Sequence, residues 1–156
     1  MRTKTDWQIS APGSIIRRAR SDDAPAVAEL LAALGYRSKV AHIERRIADC
    51  ATSPDTIVFV AESMNRIVGT LSFHCIPLFH ADGFLGRITS LVVAPDYRRR
   101  GIGRLLVAAA EDFARRHGCA RVEVTSGDHR PDAHTFYERL GYQLESRRFI
   151  KHDRNA

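Results

Sequence analysis

The segment that most constrains this chain is LVVAPDYRRRGIGRLLVAAA, running from Leu91 to Ala110. Leu91–Val93 is a short apolar, β-branched run that reads as a buried strand, and Ala94-Pro95-Asp96 stops it. From Gly101 to His117 the pattern changes to a helix. Ile102, Leu105, Leu106, Ala109 and Phe113 lie on one face, Arg104, Glu111, Arg115 and Arg116 on another, and Gly118 ends it. A strand therefore feeds a helix through one short turn. The first turn of a helix has N–H groups without intrahelical acceptors, and the dipole puts partial positive charge there. Gly101 and Gly103 remove side chains that would hold an anionic oxygen away, while Arg98, Arg99, Arg100 and Arg104 add cations around the same point. These features together predict a diphosphate pocket. It is not a phosphate loop of the GxxxxGK(S/T) kind. It is not a full dinucleotide fingerprint either, because Leu106 occupies the third glycine position.

The remaining segments build a single α+β pattern. Residues 1–13 are polar, end in Ala-Pro-Gly, and are expected to form a flexible N-terminal arm; residues 14–156 are expected to be one domain. Ile15–Arg18 reads as a strand. Ser21-Asp22-Asp23 offers an N-cap for a helix over Ala24–Leu34, with Pro25 in its first turn. Ser38 offers a cap for a second helix striped by Val40, Ile43 and Ile47. Thr56–Glu62 and Arg66–His74 read as an antiparallel hairpin, Ile76–Gly83 as a loop, and Leu85–Val93 as a strand. Arg121–Thr125 reads as a strand, Pro131–Leu140 as a short helix closed by Gly141, and Tyr142–Lys151 as two short strands. The fold class is mixed α/β of the α+β type: a central, mostly antiparallel sheet of six or seven strands flanked by about four helices.

Composition decides what such a domain meets. The net charge of +6 favours anionic partners, and nucleic acid, an acidic protein and a phosphorylated cofactor all qualify. No apolar run approaches the ~18 residues of a membrane span, and MRTKTDWQIS has no signal-like apolar stretch, so a cytoplasmic chain without membrane contact is expected. Cys50, Cys75 and Cys119 form no CxxC pair, and the histidines form no HExxH. No metal is expected.

Two motifs then resemble a known family. Arg98-x-x-Gly101-x-Gly103 matches the (Q/R)xxGx(G/A) signature of the GNAT superfamily of N-acetyltransferases, and its surroundings resemble that family's motif A strand and helix. Ala133–Tyr142, AHTFYERLGY, resembles its motif B, commonly AxxFYxxxGF. The likeness runs from about Ile15 to Lys151. It implies acetyl-CoA as co-substrate, with the pantetheine arm between two splayed parallel strands. Backbone groups of Leu91 and Val93 would meet pantetheine, with Val92 packing beside them. The amides of Arg99, Arg100, Gly101, Ile102, Gly103 and Arg104, with Arg98, would hold the pyrophosphate. Asp132, His134 and Tyr137 complete the implied cofactor contacts. The resemblance also makes Tyr137 the general acid for the departing thiolate, a role suited to a phenol of pKa ~10 that stays protonated at neutral pH.

The general base stays open. Many members carry a carboxylate on the strand before the glycine turn, whereas this chain reads Arg87-Ile88-Thr89-Ser90-Leu91; members related to glucosamine-6-phosphate acetyltransferases often read IEDVVV where it reads ITSLVV. A water chain held by Ser90, Ser126 or a backbone carbonyl is one route for the proton. Glu62, His74, Asp128, His129 and His134 are others. Tyr36, His74 and Ser126 are candidate acceptor contacts, in a region that Phe73, Phe79 and His80 make aromatic and imidazole-rich.

The expected activity is direct transfer of the acetyl group to a primary amine of a small molecule or peptide. Cys75 or Cys119 as an acyl carrier is less attractive, because neither sits in a base-paired motif. Two other classes are weighed. A basic nucleic-acid module using Arg98–Arg100 and Arg147–Lys151 accounts for the charge but not for the glycines or the second motif. A catalytically silent acyl-CoA sensor is consistent with the missing carboxylate. A homodimer is the expected form if the chain pairs, with the C-terminal strands as its edge.

Overall fold

Met64 and Asn65 both take left-handed backbone, with φ of 47° and 59°, the conformation a two-residue type I′ hairpin turn requires. They fold β3 (Thr56–Ser63) against β4 (Arg66–Pro77), the centre of the sheet. The computed structural model describes residues 8–125, 131–145 and 148–153. The chain divides into two compact units, Met1–Thr125 and Ser126–Ala156.

The first unit adds β1 (Gln8–Ala11), β2 (Ser14–Arg18), β5 (Phe84–Val93) and β6 (Cys119–Val124) to the hairpin. The six strands lie in sequence order; every pairing is antiparallel except β5 with β6, which is parallel. Helices α1 (Ala24–Ala33), α2 (Val40–Thr52) and α3 (Ile102–Arg116) belong to the same unit. The parallel β5–β6 pair follows from α3 crossing between them, the connection that parallel strands need.

Three expectations are corrected. Gln8–Ala11, read as part of a flexible arm over residues 1–13, is a strand whose Ala11 pairs with Ser14 across Pro12-Gly13. That dipeptide ends no arm; it is the turn that folds the chain back. Neither Ser21–Asp23 nor Ser38 supplies a side-chain cap. Ser21–Asp23 is a 3-10 turn, and Lys39 precedes α2. Tyr142–Lys151, expected as two strands, carries none over residues 142–145 and 148–153. Its Leu144 and Phe149 are 89% and 98% exposed, so no buried face fixes a ladder there.

The core on one sheet face is aromatic. The Phe113 ring of α3 meets Phe59 and Phe73 edge-on, at centroid distances of 6.5 and 6.0 Å. Each such pair adds about 0.5–1.5 kcal/mol beyond area burial. On the other face, Val27 and Ala28 of α1 and Ile43 and Ile47 of α2 pack with Val60. These stripes match the apolar spacing of the sequence. Gly86 of β5 leaves room for the tip of the Phe73 ring: a Cβ there would meet Phe73 Cζ at 2.5 Å and the Arg121 carbonyl at 3.3 Å. Phe73 is fully buried and cannot swing away. Gly86→Ala is therefore expected to lower stability by about 1–3 kcal/mol, read as a lower urea midpoint at unchanged slope.

In the second unit, α4 (Pro131–Arg139) closes with a Schellman motif. Gly141 has φ of 90°, its N–H donates to Glu138 O at 3.0 Å, and the Tyr142 N–H donates to Tyr137 O at 3.0 Å. The Tyr142 and Tyr137 rings meet at 5.6 Å, the apolar contact that accompanies this cap. The spacing of YERLGY is thus that of a helix end which clamps Tyr137 from its C-terminal side.

Candidate functional site

β5 is longer than its parallel partner. Its pairing with β6 ends at Ile88 opposite Val124, while Thr89–Val93 run on, paired with β4 alone among the described strands. A strand edge presents a row of backbone N–H and C=O groups that demand partners. Leu91 and Val93 are half-buried and Val92 is buried, so Val92 is a core side chain.

The turn after β5 begins with a 3-10 turn over Pro95–Tyr97. Arg99 and Gly101 then take positive φ, 62° and 80°. For arginine this is a sparsely populated conformation, of the order of 1 kcal/mol or more above its minimum. Left-handed residues set among ordinary ones make the concave rows of N–H groups that bind anions. At Gly101 an added Cβ would meet nothing within 4 Å; glycine is required there by φ, not by crowding. The Leu105 N–H donates to Gly101 O at 3.1 Å, so the N–H groups of Ile102, Gly103 and Arg104 precede the intrahelical ladder. Ile102 is 2% exposed, a core residue at the start of the helix.

The arginines divide by orientation. Arg98 Nε donates to Val93 O at 3.2 Å, and the Arg100 guanidinium lies 5.1 Å from the centre of the Tyr97 ring. Arg99 and Arg104 are exposed. Donors on the backbone and cations around them suit a polyphosphate.

On α4, Asp132 is exposed and His134 and Tyr137 are half-buried. Burial pushes the Tyr137 phenol up to about 12, so at neutral pH it holds its proton. Phe136 packs edge-on against it, with ring centres 5.0 Å apart.

A second polar region lies on the strands. Thr56, His74, Arg87 and Glu123 are register partners across β3, β4, β5 and β6, which sets them side by side on one face. Arg87 pairs with Glu123 at 3.6 Å and donates to Thr125 Oγ1 at 2.8 Å. The β4–β5 register shifts between Ser72 and Phe73: Ser72 faces Ser90, Phe73 faces Ile88, and Thr89 is the extra residue. The bulge brings four side chains into one chain of contacts. Ser90 Oγ lies 2.6 Å from Ser72 Oγ, which lies 2.7 Å from Thr89 Oγ1, which lies 3.0 Å from His74 Nε2. His74 Nδ1 lies 3.3 Å from Thr56 Oγ1. Burial, and then the charge of Arg46, hold the His74 pKa below the ordinary imidazole value.

Of the other candidates, Glu62 is engaged by Arg17 Nε at 2.9 Å. Tyr36 follows α1 and is 63% exposed. Ser126, Asp128 and His129 lie outside the described residues. Cys75 is pushed up to about 12 by burial and then by its contact with Cys119, so little thiolate exists at neutral pH. Among the described residues no group of His, Cys, Asp and Glu side chains converges as a metal site, and no helix is long and apolar enough to cross a membrane. Sequence reading missed Ser72 as a partner of the site. The available signal was the Ser72-x-His74 spacing, which puts both side chains on one strand face.

Comparisons with known proteins bear on the family. The family model described as "Acetyltransferase (GNAT) family" matches residues 24–142. An aminoalkylphosphonate N-acetyltransferase of Salmonella typhimurium is 40% identical over 86 residues, covering 55% of this chain and 56% of that protein. A glucosamine 6-phosphate N-acetyltransferase of Trypanosoma brucei brucei is 34% identical over 93 residues, covering 59% and 61%. The matches thus span less than two thirds of either relative's length. An aminoglycoside N-acetyltransferase solved in complex with CoA superposes with a TM-score of 0.79 at 15% identity, over 90% of this chain and 95% of that one, a likeness of fold.

Proposed function

The chain belongs to the Acetyltransferase (GNAT) family, and from that membership we propose that it moves the acetyl group of acetyl-CoA directly onto a primary amine of a small molecule. The observation that supports the reading is the β5–α3 turn, where Arg99 and Gly101 take left-handed backbone between the end of β5 that has no β6 partner and the start of α3. The proposed holders of the pyrophosphate are Arg98 and the amides from Arg99 to Arg104. The proposed holders of the pantetheine are backbone groups of Leu91 and Val93, which have no β6 partner, with Val92 beneath. Asp132 and His134 are proposed further contacts.

Acetyl-CoA supplies an activated acetyl thioester. In the proposed reaction the ammonium acceptor loses one proton through Ser90 before it attacks; Tyr137 then gives its hydroxyl proton to the departing thiolate and regains one from the adduct nitrogen as the amide forms. The names of both relatives specify acceptors bearing a phosphonate or phosphate, and the net charge of +6 suits such amines. We propose one acetyltransferase domain that takes in β1 from Gln8 onward, in place of the expected start at residue 14, acting in the cytoplasm. Pairing into a homodimer is part of the proposal and is read by sedimentation.

The test begins with a thermal melt. Acetyl-CoA at 100 times its Kd raises stability by about 2.7 kcal/mol. An acceptor screen over aminoalkylphosphonates, aminosugar phosphates, other amines and peptides then follows release of free CoA thiol. Tyr137→Phe is expected to keep the melting shift and lose about 100-fold in turnover; unchanged turnover removes Tyr137 from the acid role. A melting shift with no acceptor consumed supports a silent sensor. No shift, with salt-sensitive nucleic-acid binding, overturns the enzyme.

A further inference from the structure

The bulge at Thr89 does more than re-aim one side chain. We propose that Ser90, Ser72 and Thr89 form a hydroxyl relay that carries the acceptor's proton to His74 Nε2, making His74 the terminal proton acceptor of the site. The inference rests on the acetyltransferase reading and deepens it, because it names the base that the missing strand carboxylate leaves open.

The distances fit transfer in either sense, and a relay that ends on His74 sets the donors in one order. Each hydroxyl has a single proton to donate. Ser90 donates to Ser72 across 2.6 Å, Ser72 to Thr89 across 2.7 Å, and Thr89 to the lone pair of His74 Nε2 across 3.0 Å. This ordering requires the neutral Nδ1–H tautomer, and Thr56 Oγ1 stands 3.3 Å from Nδ1 to accept that proton. Ser90 Oγ is then the open acceptor at the end of the chain, directly before Leu91. The substrate ammonium gives one proton to Ser90 Oγ as the Ser90, Ser72 and Thr89 protons each move one place. The imidazole becomes imidazolium, the amine becomes neutral, and no electrons change owner. A chain of this kind also polarises its members cooperatively.

The charges facing His74 favour the receiving state. Arg46 of α2 acts on it through space and Arg87 of β5 is its register partner, itself paired with Glu123 of β6; Thr56 of β3 is neutral. Burial, and then the charge of Arg46, oppose protonation, so His74 is neutral at pH 7 and returns its proton readily. His74 and Thr89 act through Ser90, as positioning and relaying residues.

The experiment compares wild type, Thr89→Val, Thr89→Ser and His74→Gln, with acetyl-CoA and 2-aminoethylphosphonate or glucosamine 6-phosphate as probes. For wild type, kcat/KM for the amine should rise through the His74 pKa and level off below the amine's pKa. Thr89→Val and His74→Gln should both lose about 100-fold at pH 7. They should also replace the plateau by a tenfold rise per pH unit, since only pre-deprotonated amine then reacts. Thr89→Ser should restore the plateau. A plateau retained in Thr89→Val overturns the relay and leaves the acetyltransferase reading intact. If no probe is turned over and acetyl-CoA gives no melting shift, the acetyltransferase reading itself fails. A second readout needs no turnover: NMR titration of the His74 ring should show the Nδ1–H tautomer and a pKa that rises when Thr89→Val removes the donor to Nε2. The opposite tautomer, or an unmoved pKa, overturns the relay on its own.

Discussion

Gly103→Glu is expected to abolish the acetyl-CoA melting shift without unfolding the protein. Gly103 is the second residue of α3, in the first turn whose N–H groups precede the ladder. A carboxylate there competes with the diphosphate for those donors and repels its charge. The same carboxylate is favourable for the helix. Glu in place of Gly gains up to about 1 kcal/mol of helix propensity, and a negative charge in the first turn adds about 0.3–1 kcal/mol. The unliganded variant should therefore melt at or above the wild-type temperature, while saturating acetyl-CoA moves it by nothing. Gly101→Ala separates backbone from charge. The residue must hold φ of 80° with open space around its Cβ. It should weaken binding by re-forming the turn and cost about 1–2 kcal/mol of stability. Retention of the full melting shift in Gly103→Glu would remove the α3 start from the cofactor site.

The second large effect concerns stability alone. Arg17 of β2 holds Asp23 through two bonds, at 2.8 and 2.9 Å, and Glu62 through a third at 2.9 Å; Asp23 is 7% exposed. Arg17→Leu leaves Asp23 buried with the Arg20 N–H at 2.8 Å as its remaining described donor. Removing one partner of a buried pair costs about 3–5 kcal/mol. The pH dependence should change sign with it. Burial alone would raise the Asp23 pKa, but the Arg17 hydrogen bonds and then the Arg20 amide outweigh burial and hold it below the ordinary carboxylate value. In wild type this contribution is present above the unfolded pKa near ~4 and is lost as pH falls through the lower folded value. In Arg17→Leu burial prevails, the folded pKa lies above the unfolded one, and acidification from neutral pH should raise stability. From pH 7 to 4 this contribution should therefore stay nearly level in wild type, whose loss begins only below pH ~4, while the urea midpoint of Arg17→Leu rises; parallel curves would show that Arg17 does not hold Asp23 ionised.

The elements legible in the sequence were those whose signal is local. Val27, Ile43, Ile47, Leu106 and Phe113 recur at helical spacing, and each marks the buried face of its helix. The hairpin, the α3 start and the Gly141 cap also follow from residues a few positions apart. Strand pairing beyond the hairpin was less visible. Pro12-Gly13 reads equally as the end of an arm or as a turn, and only partners for Gln8–Ala11 decide between them. Tyr142–Lys151 has strand-like composition, yet exposed Leu144 and Phe149 show that composition without a buried face does not make a ladder.

The sequence by itself determined the left-handed turn of Arg98–Arg104, proposed as the anion site, and the helix end that clamps Tyr137. Both are built from backbone conformations that neighbouring residues impose. The tertiary structure alone decided which groups surround Ser90. Ser72 and His74 are sixteen or more positions away from Ser90 along the chain, and Thr89 reaches them through a one-residue bulge in the β4–β5 ladder. A register shift of one residue turns every following side chain to the other face of a strand. Its placement depends on the packing of the whole sheet, so the hydroxyl chain to His74 exists only once Phe73, Gly86 and Phe113 have set that register.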